Sequence, residues 1–112
     1  MNALRNSVRL IGHLGENPKM RKLDNGKSVA NFSVATNEVY RDQSGNKQSE
    51  TTWHKIVAWG KEAEIADKYL KKGSEIALEG KLTNRTYEDK NKETHFVTEI
   101  VVNSILLLDK KE

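Results

Sequence analysis

The N-terminal part of the chain alternates apolar and polar residues in short runs that end at turn-forming residues. A first β run covers residues 4–14, and a second begins at residues 19–23. The second run passes through residues 24–26, Asp-Asn-Gly, where Asn-Gly favours a tight hairpin turn. A half-buried strand follows over residues 30–40. This part of the chain therefore predicts a hairpin of extended strands.

A polar segment and then a change of period follow. Residues 41–50 predict a solvated hairpin loop, and residues 51–59 predict the returning strand. In residues 61–70 one helical face carries Ile65, Ala66, Tyr69 and Leu70, and Gly73 supplies a C-terminal stop. We predict one short helix directly after the third strand.

The remaining sequence returns to strand periodicity. Residues 76–83 alternate apolar and polar side chains, residues 88–93 form a polar turn, and a last strand covers residues 95–108. Strands and helix in this order predict an all-β OB fold, a five-stranded Greek-key barrel with one helix between strands 3 and 4; periodicity also permits other small β barrels. We expect one OB domain over residues 1–108 and a short charged end over residues 109–112.

Composition narrows the class of protein. At 112 residues and 36% hydrophobic content, the chain has room for one domain with a modest core. The net charge of +3 favours a polyanionic partner without requiring one. The absence of cysteine excludes disulfides and thiolate zinc sites, and it fits a reducing compartment. With no long apolar segment either, we expect a cytoplasmic protein with no membrane partner.

Aromatic and cationic residues recur together on two predicted strands. Period two places Trp53, Lys55 and Trp59 on one face of the third strand, with the two indoles ~20 Å apart. Three residues of the fourth strand project from the face opposite its apolar positions: Lys81, Arg85 and Tyr87. Unpaired bases stack on aromatic rings and phosphates bind Lys and Arg, so this pattern suits single strands better than duplex.

Each of these residues also has a purely structural explanation. Trp53 and Trp59 would serve as core aromatics in a small domain, and Lys81 and Arg85 would suit an ordinary solvated strand face. The lysine on the face shared by both tryptophans favours nucleic-acid binding. The aromatic and cationic residues support this interpretation only when they are taken together.

Catalytic chemistry has little support in the sequence. His13, His54 and His95 are far apart and form no HxH or HExxH pair, so we expect structural histidines, no metal and no cofactor. The chain has no Gly-rich phosphate loop and no GxSxG elbow. We therefore expect a binding protein and not an enzyme.

Three long segments match a known family in order and spacing. They are VRLIGHLGENPKMRKLDNGKSVANFSVATNE, ETTWHKIVAWGKEAEIADKYLKKGSEIALEGKL and THFVTEIVVN. The first resembles the first hairpin of the bacterial single-stranded DNA-binding proteins, the second resembles their third strand, helix and fourth strand, and the third resembles their last strand. The resemblance implies an OB fold, no catalytic activity, and a homotetramer that holds single-stranded DNA during replication, recombination and repair.

The resemblance also implies roles for individual positions. The family's base-stacking aromatics fall here on Tyr40, Trp53, Trp59 and Tyr87. The cations that we predict to meet phosphates are Arg41, Lys55, Lys61, Lys81 and Arg85. His54 falls where family members have a histidine tied to the subunit interface, and the family's interface strand corresponds to residues 8–14.

Two alternatives and one departure from the family bear on partners. The same fold would suit a binder of RNA or of priming intermediates, or an assembly adaptor whose aromatics are buried against another protein. Family members commonly continue into a Gly/Pro/Gln-rich linker and an acidic tip that recruits replication and repair proteins, whereas this sequence stops at Glu112. We expect DNA binding to be kept, with recruitment of such proteins in question.

Overall fold

Six strands and one helix make up most of residues 5–108, the part of the chain that the computed structural model describes. In chain order they are β1 (Val8–Leu14), β2 (Lys19–Lys22), β3 (Ser28–Arg41), β4 (Lys47–Trp59), α1 (Lys61–Tyr69), β5 (Glu75–Glu88) and β6 (Thr94–Leu107). Leu4 and the predicted end at residues 109–112 lie outside the described residues.

The strands close into a barrel. Neighbouring strands follow the order β1-β5-β6-β4-β3, and pairing of β1 with β3 joins the two ends. The short β2 pairs with the beginning of β3 and takes no part in closure. Counted among the five barrel strands, the helix lies between the third and the fourth, so the predicted OB fold is confirmed.

The core is built from the inward positions of each strand and one side of the helix. On β4, Ile56 and Ala58 are buried while Trp59 is exposed, as period two requires. Ala63 and Ala66 of α1 are fully buried and belong to the same core. The other core residues from the strands are Leu14, Ala30, Phe32, Val34, Ile76, Leu78, Ile100 and Val102.

Strand β1 is shorter than predicted. It begins at Val8, and the predicted residues 5–7 are not in a strand. The side chain of Asn6 donates to the backbone oxygen of Leu82 at 3.0 Å and accepts from the Leu82 N–H at 2.9 Å. The Asn6 side-chain amide makes the two hydrogen bonds to Leu82 that a strand backbone would have made. The ladder between β1 and β5 therefore starts two residues after Asn6, at Val8.

The β3–β4 hairpin is longer than predicted. Residues 47–50 belong to β4, and the ladder runs to the pair Arg41 and Lys47 although both faces are solvated there. Asp42 closes the turn by accepting backbone N–H groups of Ser44 and Asn46 at 2.9 Å each. These bonds, led by that from Asn46, hold the pKa of Asp42 below its usual value.

The helix ends at Tyr69, one residue before the predicted end. Leu70 is buried as expected, but Tyr69, which we placed on the apolar face, is exposed beside the ammonium group of Lys68. Among residues 5–108, no helix is long and apolar enough to cross a membrane.

Candidate nucleic-acid interface

Both tryptophans of β4 lie on the outside of the barrel. Trp53 is 61% exposed and Trp59 is 43% exposed, whereas Val57 between them is buried. The interpretation of these indoles as core aromatics is therefore wrong. Aromatic rings with this exposure have faces available for stacking.

The ring of Trp53 lies directly against the backbone of Gly15. A Cβ atom at Gly15 would collide with Cζ3 of the indole. The N–H of Gly15 donates to the backbone oxygen of Ser33 at 3.1 Å, which ties this glycine to β3. Because glycine has no side chain, the backbone supports the indole at close range.

Three neighbouring depressions, which we call the outer groove, connect the two tryptophans. The first, of about 320 Å³, is lined by Trp53 and Lys55, and the second, of about 290 Å³, by Lys55 and Arg85. The third, of about 360 Å³, is lined by Arg85 and Trp59, together with Arg21. Adjacent depressions share lining residues, so aromatic and cationic side chains alternate along one path.

Arg85 is held in the outer groove by an acidic partner. Its Nε–H donates to Oε1 of Glu99 at 2.9 Å, and its Nη2 donates to Oε2 at 3.3 Å. The hydrogen bond and the negative charge of Glu99 raise the pKa of Arg85 above its usual value, so the guanidinium stays charged. Two of its three nitrogens are thus engaged by a carboxylate.

A stack of side chains supports Tyr87 at the tip of the β5–β6 hairpin. The rings of Tyr87 and His95 are stacked, with centroids 5.1 Å apart and planes inclined by 21°. Nε2 of His95 lies 2.7 Å from Oδ2 of Asp89, and the guanidinium of Arg85 lies 5.9 Å from the Tyr87 centroid. The histidine fixes one side of the phenol ring.

Sequence spacing did not reveal the cluster formed by Asp89, Glu93 and His95, whose ligand-type atoms lie within 4.8 Å of one another. Asp89 already accepts the backbone N–H groups of Asn91 and Glu93, which closes the turn. The bond from His95 is the main cause that lowers the pKa of Asp89. The hairpin turn itself therefore accounts for this grouping.

The other predicted contact residues lie apart from the outer groove. Tyr40 and Arg41 are near the tip of the β3–β4 hairpin, where Nη1 of Arg41 donates to the backbone oxygen of Gly45 at 3.0 Å. Lys61 is the first residue of α1, and Lys81 pairs with Val101 on β5 and β6. Among the residues described, these four are exposed but line none of the three depressions.

His54 follows Trp53 on β4 and contacts the neighbouring strand β3. Its Nε2 lies 3.0 Å from Oγ1 of Thr36. It lines the first depression beside Phe96, an aromatic residue that is 83% exposed.

A separate apolar surface, which we call the β1 surface, surrounds a depression of about 520 Å³ lined by Leu10, Ile11, Ala77, Leu78 and Leu106. The structure does not bring His54 to the β1 surface.

Several residues of the outer groove were not predicted from the sequence. Arg21 lies on the short strand β2, where no alternation of apolar residues drew attention to it. Phe96 and Glu99 are on β6, and their places follow from the register of the β5–β6 hairpin. The predicted turn at residues 88–93 would pair Arg85 with Phe96, one residue from its observed partner Val97, so the sequence did not place Glu99 beside Arg85.

Known proteins similar to this chain share its fold and identify its family. The chain is 47% identical over 108 residues to single-stranded DNA-binding protein 1 of Chlorobaculum tepidum, covering 96% of this chain and 67% of that protein. A Plasmodium falciparum SSB in complex with ssDNA superposes with a TM-score of 0.86 at 35% identity, over 93% of this chain and 95% of that one. A deletion mutant of the single-stranded DNA binding protein from Thermus aquaticus gives a TM-score of 0.81 at 28% identity, over 93% and 50%. The family profile matches residues 5–108, and the chain therefore belongs to the single-strand binding protein family.

Proposed function

We propose that this chain binds single-stranded DNA without strong sequence preference and protects it during replication, recombination and repair. The observation that carries the proposal is the outer groove, where exposed Trp53 and Trp59 alternate with Lys55 and Arg85. Aromatic faces stack with any base, and cations follow the phosphates. Membership of the single-strand binding protein family supports the same function.

The proposed DNA contacts extend beyond the outer groove. Tyr87 lies beside Arg85 and continues the path along β5. Tyr40 and Arg41 on the β3–β4 hairpin, together with Lys61 and Lys81, are exposed and available to a strand that passes around the barrel. The relatives reported above are named for DNA, which does not favour a specialised binder of RNA or priming intermediates. A cytoplasmic location stays a prediction from the sequence.

The affinity for oligo-dT is expected to fall steeply with salt. Each phosphate neutralised on a single strand contributes a slope of about −0.7 in a plot of log affinity against log salt. Arg85→Ala should make this slope less steep by up to about 0.7, because one cation leaves the path. Titration of oligo-dT at several NaCl concentrations measures both slopes.

Arg9→Ala is the matched control for this variant. Arg9 also donates its Nε–H to a glutamate, Glu79, at 2.8 Å, but it lines the depression of the β1 surface and not the outer groove. Its removal should leave the salt slope unchanged as long as light scattering gives an unchanged oligomer mass. An unchanged slope for Arg85→Ala would remove Arg85 from the DNA path.

We further propose that the protein forms homo-oligomers, with a tetramer expected from the family resemblance. Two features of β1 support contacts between copies. Ile11 and Leu106 are exposed apolar residues on the β1 surface. In addition, β1 pairs with β3 only through His13 and Leu14, so within the described residues the edge at residues 8–11 has no strand partner on that side. An open edge beside an apolar surface favours association of identical chains.

Light scattering tests the assembly. We expect a mass of about four times the 12.7 kDa chain mass, and Ile11→Glu should lower it because a charge would enter the apolar contact. Val39→Glu, which changes another exposed aliphatic residue on the β3–β4 hairpin, should leave the mass unchanged. A monomeric mass at micromolar concentration would refute the proposed assembly and the interface role carried over to His54.

A further inference from the structure

One acidic side chain lies in the middle of the outer groove. Glu99 lines the second and third depressions, where the cations Lys55, Arg85 and Arg21 also line the walls. Its side chain is 11% exposed, so strand β6 and its neighbours hold the carboxylate within the wall of the groove. Glu16 lines the second depression as well. A negative charge at the centre of a phosphate path requires an explanation.

The position of Glu99 follows from the register of the hairpin. Arg85 on β5 pairs with Val97 on β6, and Glu99 lies two residues further along β6, next to Thr83. Residues related in this diagonal way share a face and lie within reach of long side chains. The pair of hydrogen bonds from Nε and Nη2 to the two oxygens is therefore built into the ladder.

The same donors suit a phosphate. A guanidinium binds carboxylate and phosphate oxygens with the same two-pronged geometry. Glu99 already occupies that edge of Arg85 and offsets its charge where a DNA phosphate would bring a second negative charge. Two anions on one guanidinium repel each other, and the repulsion is strongest where water is excluded. The Arg85 side chain is 59% exposed, so it is able to turn from Glu99 toward a bound strand.

We infer that Glu99 competes with DNA phosphate for Arg85 and thereby lowers the affinity of the outer groove for single-stranded DNA. The inference rests on the proposed function, because the competing ligand is the DNA backbone. An internal competitor of this kind keeps the bound strand exchangeable, since Arg85 has a partner to return to when the phosphate leaves.

Glu99→Gln tests the competition directly, because it removes the charge and keeps the shape. We expect oligo-dT to bind about two- to fivefold more tightly at low salt, the effect of releasing an exposed ion pair. The salt slope should become steeper by up to about 0.7, as one further phosphate is neutralised. Glu99→Ala also removes the charge and leaves nothing to hold Arg85, so it too should tighten binding. It takes the place of the glutamine variant if that variant folds poorly.

Two further variants isolate the pair. Glu79→Gln removes the same charge from a carboxylate that binds Arg9 outside the groove, and its affinity should be unchanged at unchanged oligomer mass. In the Arg85→Ala background, Glu99→Gln should no longer tighten binding, because Glu99 acts through Arg85.

The outcomes separate this inference from the proposed function. If the unmodified chain does not bind oligo-dT, the proposed function fails. If it binds and both Glu99 variants bind equally or more weakly, only the competition is refuted, and Glu99 supports Arg85 instead. A gain that persists without Arg85 would also refute it.

Discussion

Trp53→Ala and Trp59→Ala are each expected to weaken oligo-dT binding by about 1–3 kcal/mol, the range found for loss of one base–aromatic stack. The free energy of unfolding should change by less than about 1 kcal/mol, because neither ring belongs to the buried core. A binding isotherm and a denaturant melt on the same variants measure the two effects separately.

Tyr69→Ala is the matched control for the tryptophan variants. Tyr69 is an exposed aromatic residue on α1, outside the three depressions, and its loss should leave oligo-dT affinity unchanged. A large loss of stability with unchanged affinity among folded Trp53→Ala and Trp59→Ala molecules would exclude base stacking on these two rings.

Ile56→Ala is expected to lower the stability of the fold, which the tryptophan variants should leave nearly unchanged. Ile56 lies on the same strand as both tryptophans but points into the barrel, where it is 1% exposed. Truncation of a buried isoleucine leaves a cavity and lowers the free energy of unfolding by about 2–5 kcal/mol. Those molecules that remain folded should still bind oligo-dT.

Val39→Ala serves as the control for Ile56→Ala in the same denaturant melts. Val39 is an exposed aliphatic residue on β3, so its truncation should cost little stability. If Ile56→Ala unfolds at the same denaturant concentration as the unmodified chain, the orientation of β4 described above is wrong.

Sequence periodicity predicted the barrel well where a strand has one buried face. On β4 the alternation placed Trp53 and Trp59 on one face and Ile56 and Ala58 on the other, and burial in the structure shows that the second face is the core. The same reasoning located the helix, since Ala66 and Leu70 recur at helical spacing and are buried. These features depend only on local pattern and burial.

Periodicity failed where both faces of a strand are solvated. Residues 47–50 show no alternation and were predicted as a loop, yet they continue the ladder because the Asp42 turn aligns the two strands. Leu82, an apolar position in the alternation of the predicted fourth strand, is exposed. It follows a register shift between Glu79 and Gly80, which a strict period of two does not anticipate.

Only part of the candidate site was predicted from the sequence. Aromatic and cationic residues on one strand face were visible in sequence, and the structure places Trp53, Lys55, Trp59 and Arg85 along one groove. The pairing of Arg85 with Glu99 depends on which residues of β5 and β6 lie opposite each other. Turn geometry determines that register, and composition and period carry no information about it.

Titration of the intrinsic tryptophan fluorescence with oligo-dT, at low and at high salt, is the most direct test of single-stranded DNA binding by the outer groove. Because Trp53 and Trp59 are the two tryptophans of the chain and both line that groove, a base stacked on either ring changes the signal. We expect saturable quenching that weakens as salt rises, and little response to a duplex of the same length. Fluorescence that stays unchanged over the whole titration would contradict binding at this site.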